Sequence, residues 1–157
     1  EEEMGTTLGD VIPLAGGATG TPRAILMGGA AGSFIGPDLL DLPLTQAATR
    51  EAGTTLGSGV ITLFDDTVEF GSLLRRIARF FESESCGQCV PCRVGVVRQR
   101  EVLDELAATG GNLRDDRAEL IDDMARAMGD ASICGLGHTA SGAVQSAIRL
   151  GLIGGRT

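Results

Sequence analysis

The sequence predicts an α+β protein in two parts: a compact mixed module over residues 1–66 and a bundle of four helices over residues 67–157. Three observations carry that prediction. Up to Asp65 the apolar residues come in short, β-branched runs bounded by glycines and acids, which is how buried strands read. Beyond Asp65 they recur every three or four positions, the spacing of one face of an α-helix. The length, 157 residues, is enough for one domain or two small ones to bury a core without disulfides.

In chain order, "EEEMGTTLGDVIPLAGG" opens with a short extended piece. Thr7 is expected to cap a helix because Asp10 stands three residues on, and Gly16-Gly17 stop that helix. "TPRAILMGG" and "GSGVITLFDD" are the expected strands. "AAGSFIGPDLLDLPLT" between them carries turn residues at Gly36-Pro37 and Pro43. In the second part, "VEFGSLLRRIARFFESES" sets Leu73, Leu74, Ile77, Ala78, Phe80 and Phe81 against Arg75, Arg76 and Arg79, as an amphipathic helix requires. "VGVVRQREVLDELAATGG" places Val96, Leu103, Leu106 and Ala107 along one side and ends at Gly110-Gly111. "AELIDDMARAMGD" offers Leu120, Ile121, Met124, Ala125 and Met128, and "SGAVQSAIRLGLI" offers Val144, Ala147 and Ile148. Helix packing accounts for these faces, Met124 and Met128 included.

Charge and composition exclude several classes of function. A net charge of −8 argues against a nucleic-acid partner, since phosphate binding calls for clustered positive charge. All thirteen basic residues are Arg, and with no Trp or Tyr and only five Phe the chain lacks stacking platforms for single-stranded nucleic acid. Four cysteines in 157 residues are too sparse for a secreted disulfide scaffold, and no apolar run near the start is framed as a signal peptide. A reducing, cytoplasmic setting is the expectation. No window approaches the length of uncharged apolar sequence that a membrane span needs.

The pattern that carries chemistry is "ESCGQCVPCRVG", in which Cys86, Cys89 and Cys92 form C-x-x-C-x-x-C, with Cys134 far downstream in "ASICGLG". A cubane 4Fe-4S cluster needs one thiolate on each iron. Two-residue spacers in a loop containing Gly and Pro let three consecutive sulfurs wrap three corners, and a remote cysteine supplies the last. Gly87, Gly95, Gly135 and Gly137 are expected to let backbone approach and aim N–H groups at the sulfurs of an anionic core, with Arg93 adding compensating charge. Three other readings compete. A structural zinc ion also takes four cysteines, but zinc ribbons pair C-x-x-C with a second C-x-x-C. A redox disulfide calls for a βαβ setting that is absent and leaves two thiols unexplained. Inert buried thiols explain Cys134 taken alone but not the triple. The single histidine, His138, reads as a cap or a satisfied polar group, and with four cysteines available it is not needed as a ligand. "MGGAAGSF" lacks the endings of a phosphate loop and reads as turn chemistry.

"ESCGQCVPCRVG" followed by "SICGLGHTA" closely resembles the flavoprotein subunit shared by respiratory complex I, NAD-dependent formate dehydrogenases and NAD-reducing hydrogenases. That family's motif, E-S-C-G-x-C-x-P-C-R-x-G with a remote cysteine in a C-x-L-G setting, is met at each of those positions. The preceding part looks like the family's ubiquitin-like β-grasp module, so the resemblance covers nearly the whole chain. It implies a β-grasp module followed by a four-helix bundle, with Cys86, Cys89, Cys92 and Cys134 as the metal ligands of a 4Fe-4S cluster. It also implies a relay of single electrons between FMN and a neighbouring iron–sulfur subunit. The family's N-terminal domain, which holds FMN and NAD(H), is absent from this sequence, so the chain alone is not expected to oxidise NADH. Implied partners are a thioredoxin-like 2Fe-2S subunit and a multi-cluster iron–sulfur or molybdenum subunit, in the cytoplasm or on the cytoplasmic face of a membrane. The competing reading is a zinc-stapled structural or partner-binding module without redox activity. Neither proton-transfer nor nucleophilic machinery is legible in the chain.

Overall fold

The computed structural model describes residues 2–110 and 113–154. Two compact units divide between Val68 and Glu69.

In the first unit, helix α1 (Leu8–Leu14) begins at the expected cap. The Thr7 hydroxyl accepts the Asp10 N–H at 3.2 Å, and the Asp10 carboxylate accepts both the N–H and the hydroxyl of Thr7. Strand β1 (Pro22–Met27) leads through a single 3-10 turn into β2 (Ser33–Ile35), and β3 (Ile61–Asp65) follows the short helix α2 (Gln46–Glu51). The sheet runs β2-β1-β3, antiparallel throughout, with Ile25 opposite Ile35 on one side and Leu63 on the other. The side-chain period of two puts Ile25 and Met27 on one face, where Leu8, Val11 and Ile12 of α1 pack with Ile35, Ile61 and Leu63. Sequence reasoning does not foresee β2 or α2. Three residues are too few to show alternation, and α2 is announced only by Thr45, whose hydroxyl accepts the Ala48 N–H at 3.1 Å. The glycines of "MGGAAGSF" build the β1–β2 connection: Gly28 and Gly29 hold φ of 84° and 72°, and a side chain on Gly32 would strike the Met27 carbonyl.

The second unit is helical. It comprises α3 (Phe70–Glu84), α4 (Val90–Ala108), α5 (Asp115–Ala131), α6 (Gly135–Thr139) and α7 (Gly142–Arg149). Four helices were expected. The additional one, α6, has five residues, too short for a periodic pattern to register. Helix α4 is central, packing on α3, α5 and α6. Its buried face runs through Cys92, Gly95, Val96, Gln99, Val102, Leu103 and Leu106. On α3 the core face is Phe70, Leu74, Ile77, Ala78 and Phe81, whereas Phe80, expected inside, is 48% exposed and meets Phe81 edge-on. Ala107 and Leu120 likewise face outward. Arg100 of α4 ties the two helices, its guanidinium pairing with Glu82 of α3 and, at 2.7 Å, with Asp104. Gly111, the second of the two glycines expected to end α4, lies outside the described residues.

Candidate metal centre

The cysteine run is placed by the junction of α3 and α4. Helix α3 ends at Glu84, and Ser85 to Gln88 form a turn in which Gly87 holds φ of 73°, a left-handed value that favours glycine. Arg93 Nη1 donates to the Gly87 carbonyl at 2.8 Å, so the arginine expected to contribute charge also closes this turn. The three cysteines are not all in a loop: α4 starts inside the motif, with Cys89 as its N-cap, Pro91 in its first turn and Cys92 on its buried face. Cys92 is 5% exposed, and its sulfur lies 3.4 Å from the Ser85 hydroxyl. Cys134 comes from elsewhere. It is the N-cap of α6, delivered by the turn that follows α5.

These elements bring all four expected ligands together. Cys86, Cys89, Cys92 and Cys134 line one cavity of 230 Å³, with Ile133 and Leu136 adding apolar wall, and all four are free thiols. Cys86 and Cys134 are exposed, Cys89 half-buried and Cys92 buried. The Ile133 N–H is the main influence holding the Cys89 thiol below its ordinary range; burial opposes it, and the Cys92 N–H assists. The positive end of α4, with its unbonded N–H groups, opens at Cys89. Four sulfurs, apolar wall and convergent N–H groups fit an anionic metal–sulfur group held by thiolates. Among the described residues, no three His, Cys, Asp or Glu side chains gather tightly enough to hold a single metal ion.

Of the four glycines expected at the sulfurs, Gly87 lines the cavity, Gly137 lies against Cys92, Gly135 follows Cys134 with no atom within 4 Å of where a Cβ would stand, and Gly95 is not there. A Cβ on Gly137 would sit 2.5 Å from Ser132 Cβ and 3.1 Å from Cys92 Cβ, so this glycine lets the Cys134 turn close on α4. A Cβ on Gly95 would instead fall 2.5 Å from Met128 Sδ, so this glycine serves the packing of α5 on α4. His138 is a satisfied polar group, as expected, with Nε2 2.8 Å from the Ser132 carbonyl. Sequence reasoning missed Gln99, which is 1% exposed and donates from Nε2 to the Ala140 carbonyl at 3.0 Å, joining α4 to the far end of α6. In "VVRQREV" it reads as one more surface polar residue. The one available signal is its position two helical turns beyond Cys92, on the same face. Ile133, an apolar residue 71% exposed between Ser132 and Cys134, was missed too.

The NADH-ubiquinone oxidoreductase-F iron-sulfur binding region matches residues 72–150. The NADH-quinone oxidoreductase F-subunit of Rickettsia rickettsii is 31% identical over 153 residues, which cover 95% of this chain and 36% of the relative. Its counterpart in Mycobacterium bovis is 32% identical over 151 residues, covering 95% and 34%. A crystal structure of an NAD+-reducing NiFe hydrogenase in the air-oxidised state superposes with a TM-score of 0.79 at 31% identity, over 93% of this chain and 24% of that one. The chain thus spans about a third of the length of the curated relatives it matches. No helix among the described residues is long and apolar enough to cross a membrane. The matched segment takes in everything from Ser72 to Leu150, all four cysteines included, and the chain belongs to the family defined by that iron–sulfur binding region.

Proposed function

We propose that this chain is the electron-relay portion of an NAD-linked oxidoreductase flavoprotein subunit, with Cys86, Cys89, Cys92 and Cys134 holding a 4Fe-4S cluster. The observation that carries the reading is that a remote cysteine and a C-x-x-C-x-x-C run line the same cavity inside the matched iron–sulfur region. Such a cluster, when bound, supplies reversible one-electron transfer. The residues around it do the rest. The Ile133 N–H and the α4 N-terminus favour the thiolate state of their sulfurs, Arg93 adds positive charge beside the Gly87 turn, and Ile133 and Leu136 limit water on one wall. No proton acceptor is required of the chain, which agrees with the lack of an acid–base pair legible in its sequence.

In this reading residues 1–66 are a β-grasp module and residues 67–157 form the helical cluster domain. Electrons pass between FMN, held by a part of the parent protein outside this sequence, and the next iron–sulfur subunit. The partners are a thioredoxin-like 2Fe-2S subunit and a multi-cluster iron–sulfur or molybdenum subunit, on the cytoplasmic side. A zinc staple is the second reading. It would require four sulfurs within about 2.3 Å of one ion, whereas a C-x-x-C-x-x-C run with one remote cysteine is the ligand pattern of a cubane cluster.

Anaerobic purification with iron, sulfide and zinc analysis tests this. About four irons and four sulfides per chain are expected, with a signal in electron paramagnetic resonance (EPR) on dithionite reduction, and Cys134→Ser should lose most of both. One zinc per chain with no iron would end the relay reading.

A further inference from the structure

The peptide joining Ser132 to Ile133 leads into the sulfur cavity, which Ile133 and Cys134 line. Its carbonyl oxygen lies 2.8 Å from His138 Nε2. Ile133 lines the same cavity as Cys89 and Cys134, and its N–H favours the thiolate of Cys89. A carbonyl oxygen only accepts, so Nε2 carries the proton, whether the ring is neutral or charged. His138 lies on α6, the helix that Cys134 caps, and its own backbone N–H reaches the Cys134 carbonyl at 3.4 Å. The imidazole therefore closes a loop across Ser132, Ile133 and Cys134. Gly137 beside it leaves room for that closure against Ser132 and Cys92.

We propose that His138 is a positioning residue for the sulfur site: by donating from Nε2 to the Ser132 carbonyl it fixes the plane of the 132–133 peptide, and with it the direction of the Ile133 N–H and the seat of Cys134. A donor on the carbonyl polarises the peptide and strengthens its N–H in turn. An N–H directed at a ligating sulfur favours the reduced, more negative state of an iron–sulfur centre and raises its potential. His138 is exposed, so water can replace a lost donor, but water does not hold the peptide at one angle. The redox consequence rests on the iron–sulfur reading; the positioning is a property of the chain by itself.

Two variants separate donor from bulk: His138→Leu removes the donor, and His138→Gln returns an N–H on a flexible arm. The first readout is a potentiometric titration followed by EPR on protein purified with its iron. At a fixed solution potential, His138→Leu should lower the reduced-to-oxidised ratio by about threefold to tenfold, tenfold being about 59 mV for a one-electron couple. His138→Gln should recover most of the loss. The second readout is amide hydrogen exchange, by mass spectrometry, of the segment holding Ile133 in the same as-purified protein. It should quicken several-fold in His138→Leu while α3 and α5 keep the wild-type rate. The proposal is overturned by unchanged potential and exchange in His138→Leu, by equal damage in His138→Gln, or by faster exchange throughout the unit, since a positioning bond acts locally. If the wild type proves to hold no iron, the relay reading fails, and the exchange comparison still decides the role of His138.

Discussion

Replacing Gly95 by Ala should destabilise the helical unit, against the usual gain from removing a helical glycine. An added Cβ would lie 2.5 Å from Met128 Sδ and 2.6 Å from its Cγ, and Met128 has no exposed surface into which to withdraw. Overpacking of this kind costs about 1–3 kcal/mol. Helix propensity returns about 0.5–1 kcal/mol when Gly becomes Ala. The net expectation is a loss of about 0.5–2 kcal/mol, near the low end if the flexible thioether yields. Truncating Met128 to Ala removes the obstacle, at a cost of its own of about 2–5 kcal/mol. In that background Gly95→Ala should stabilise, because only the propensity gain and some cavity filling remain. The sign reversal, measured by urea unfolding of all four proteins under anaerobic conditions, amounts to a coupling of about 1–3 kcal/mol. Cys92 lies one turn before Gly95, and α5 runs on to Cys134, so Gly95→Ala should also lower iron retention. A Gly95→Ala protein more stable than wild type with Met128 intact, or a coupling near zero, would refute the argument.

Four further outcomes are expected. Gly137→Ala should reduce iron per chain, because its methyl meets Ser132 Cβ and the Cβ of Cys92, which lines the sulfur cavity, while far-UV circular dichroism stays near wild type. Thr7→Ala should cost the first unit about 1 kcal/mol through its lost helix cap, measured by thermal unfolding. The same cap sets a pH dependence: the Thr7 hydroxyl and N–H hold the Asp10 carboxyl below its ordinary value. The charged form thus contributes stability above the ordinary carboxylate range, and that contribution is lost as pH falls through the lowered value; Asp10→Asn should flatten the slope. Gln99→Leu should leave global stability within about 1 kcal/mol, since orphaning the Ala140 carbonyl is offset by removing a buried Oε1 that has no hydrogen-bond partner. A large loss in unfolding free energy would show that Oε1 is satisfied after all.

The strong local signals of the sequence were the ones that proved legible. The α1 cap follows from Thr7 and Asp10 three residues apart, which is a short-range bond whatever surrounds it. Strands β1 and β3 follow from β-branched runs between glycines, and α3, α4, α5 and α7 from repeats long enough to show a period. The failures share a cause. β2, α2 and α6 are only three, six and five residues long, and elements that short are stabilised by what they pack on. Phe80 was misplaced because periodicity names a face without naming the neighbour that covers it, and Gly95 because nearness to the cysteines in sequence does not say what packs against it.

The sequence by itself determined that four sulfurs are available and that three of them lie within reach of a single cavity, because a C-x-x-C-x-x-C run is bounded by chain geometry. Only the tertiary structure decided that Cys134 joins them. Its approach depends on α5 returning along α4, on the close passage at Gly95 and Gly137, and on the Gln99 bond that anchors the end of α6. Those contacts link residues far apart in the chain, and their energies come from packing and buried hydrogen bonds that no local pattern encodes.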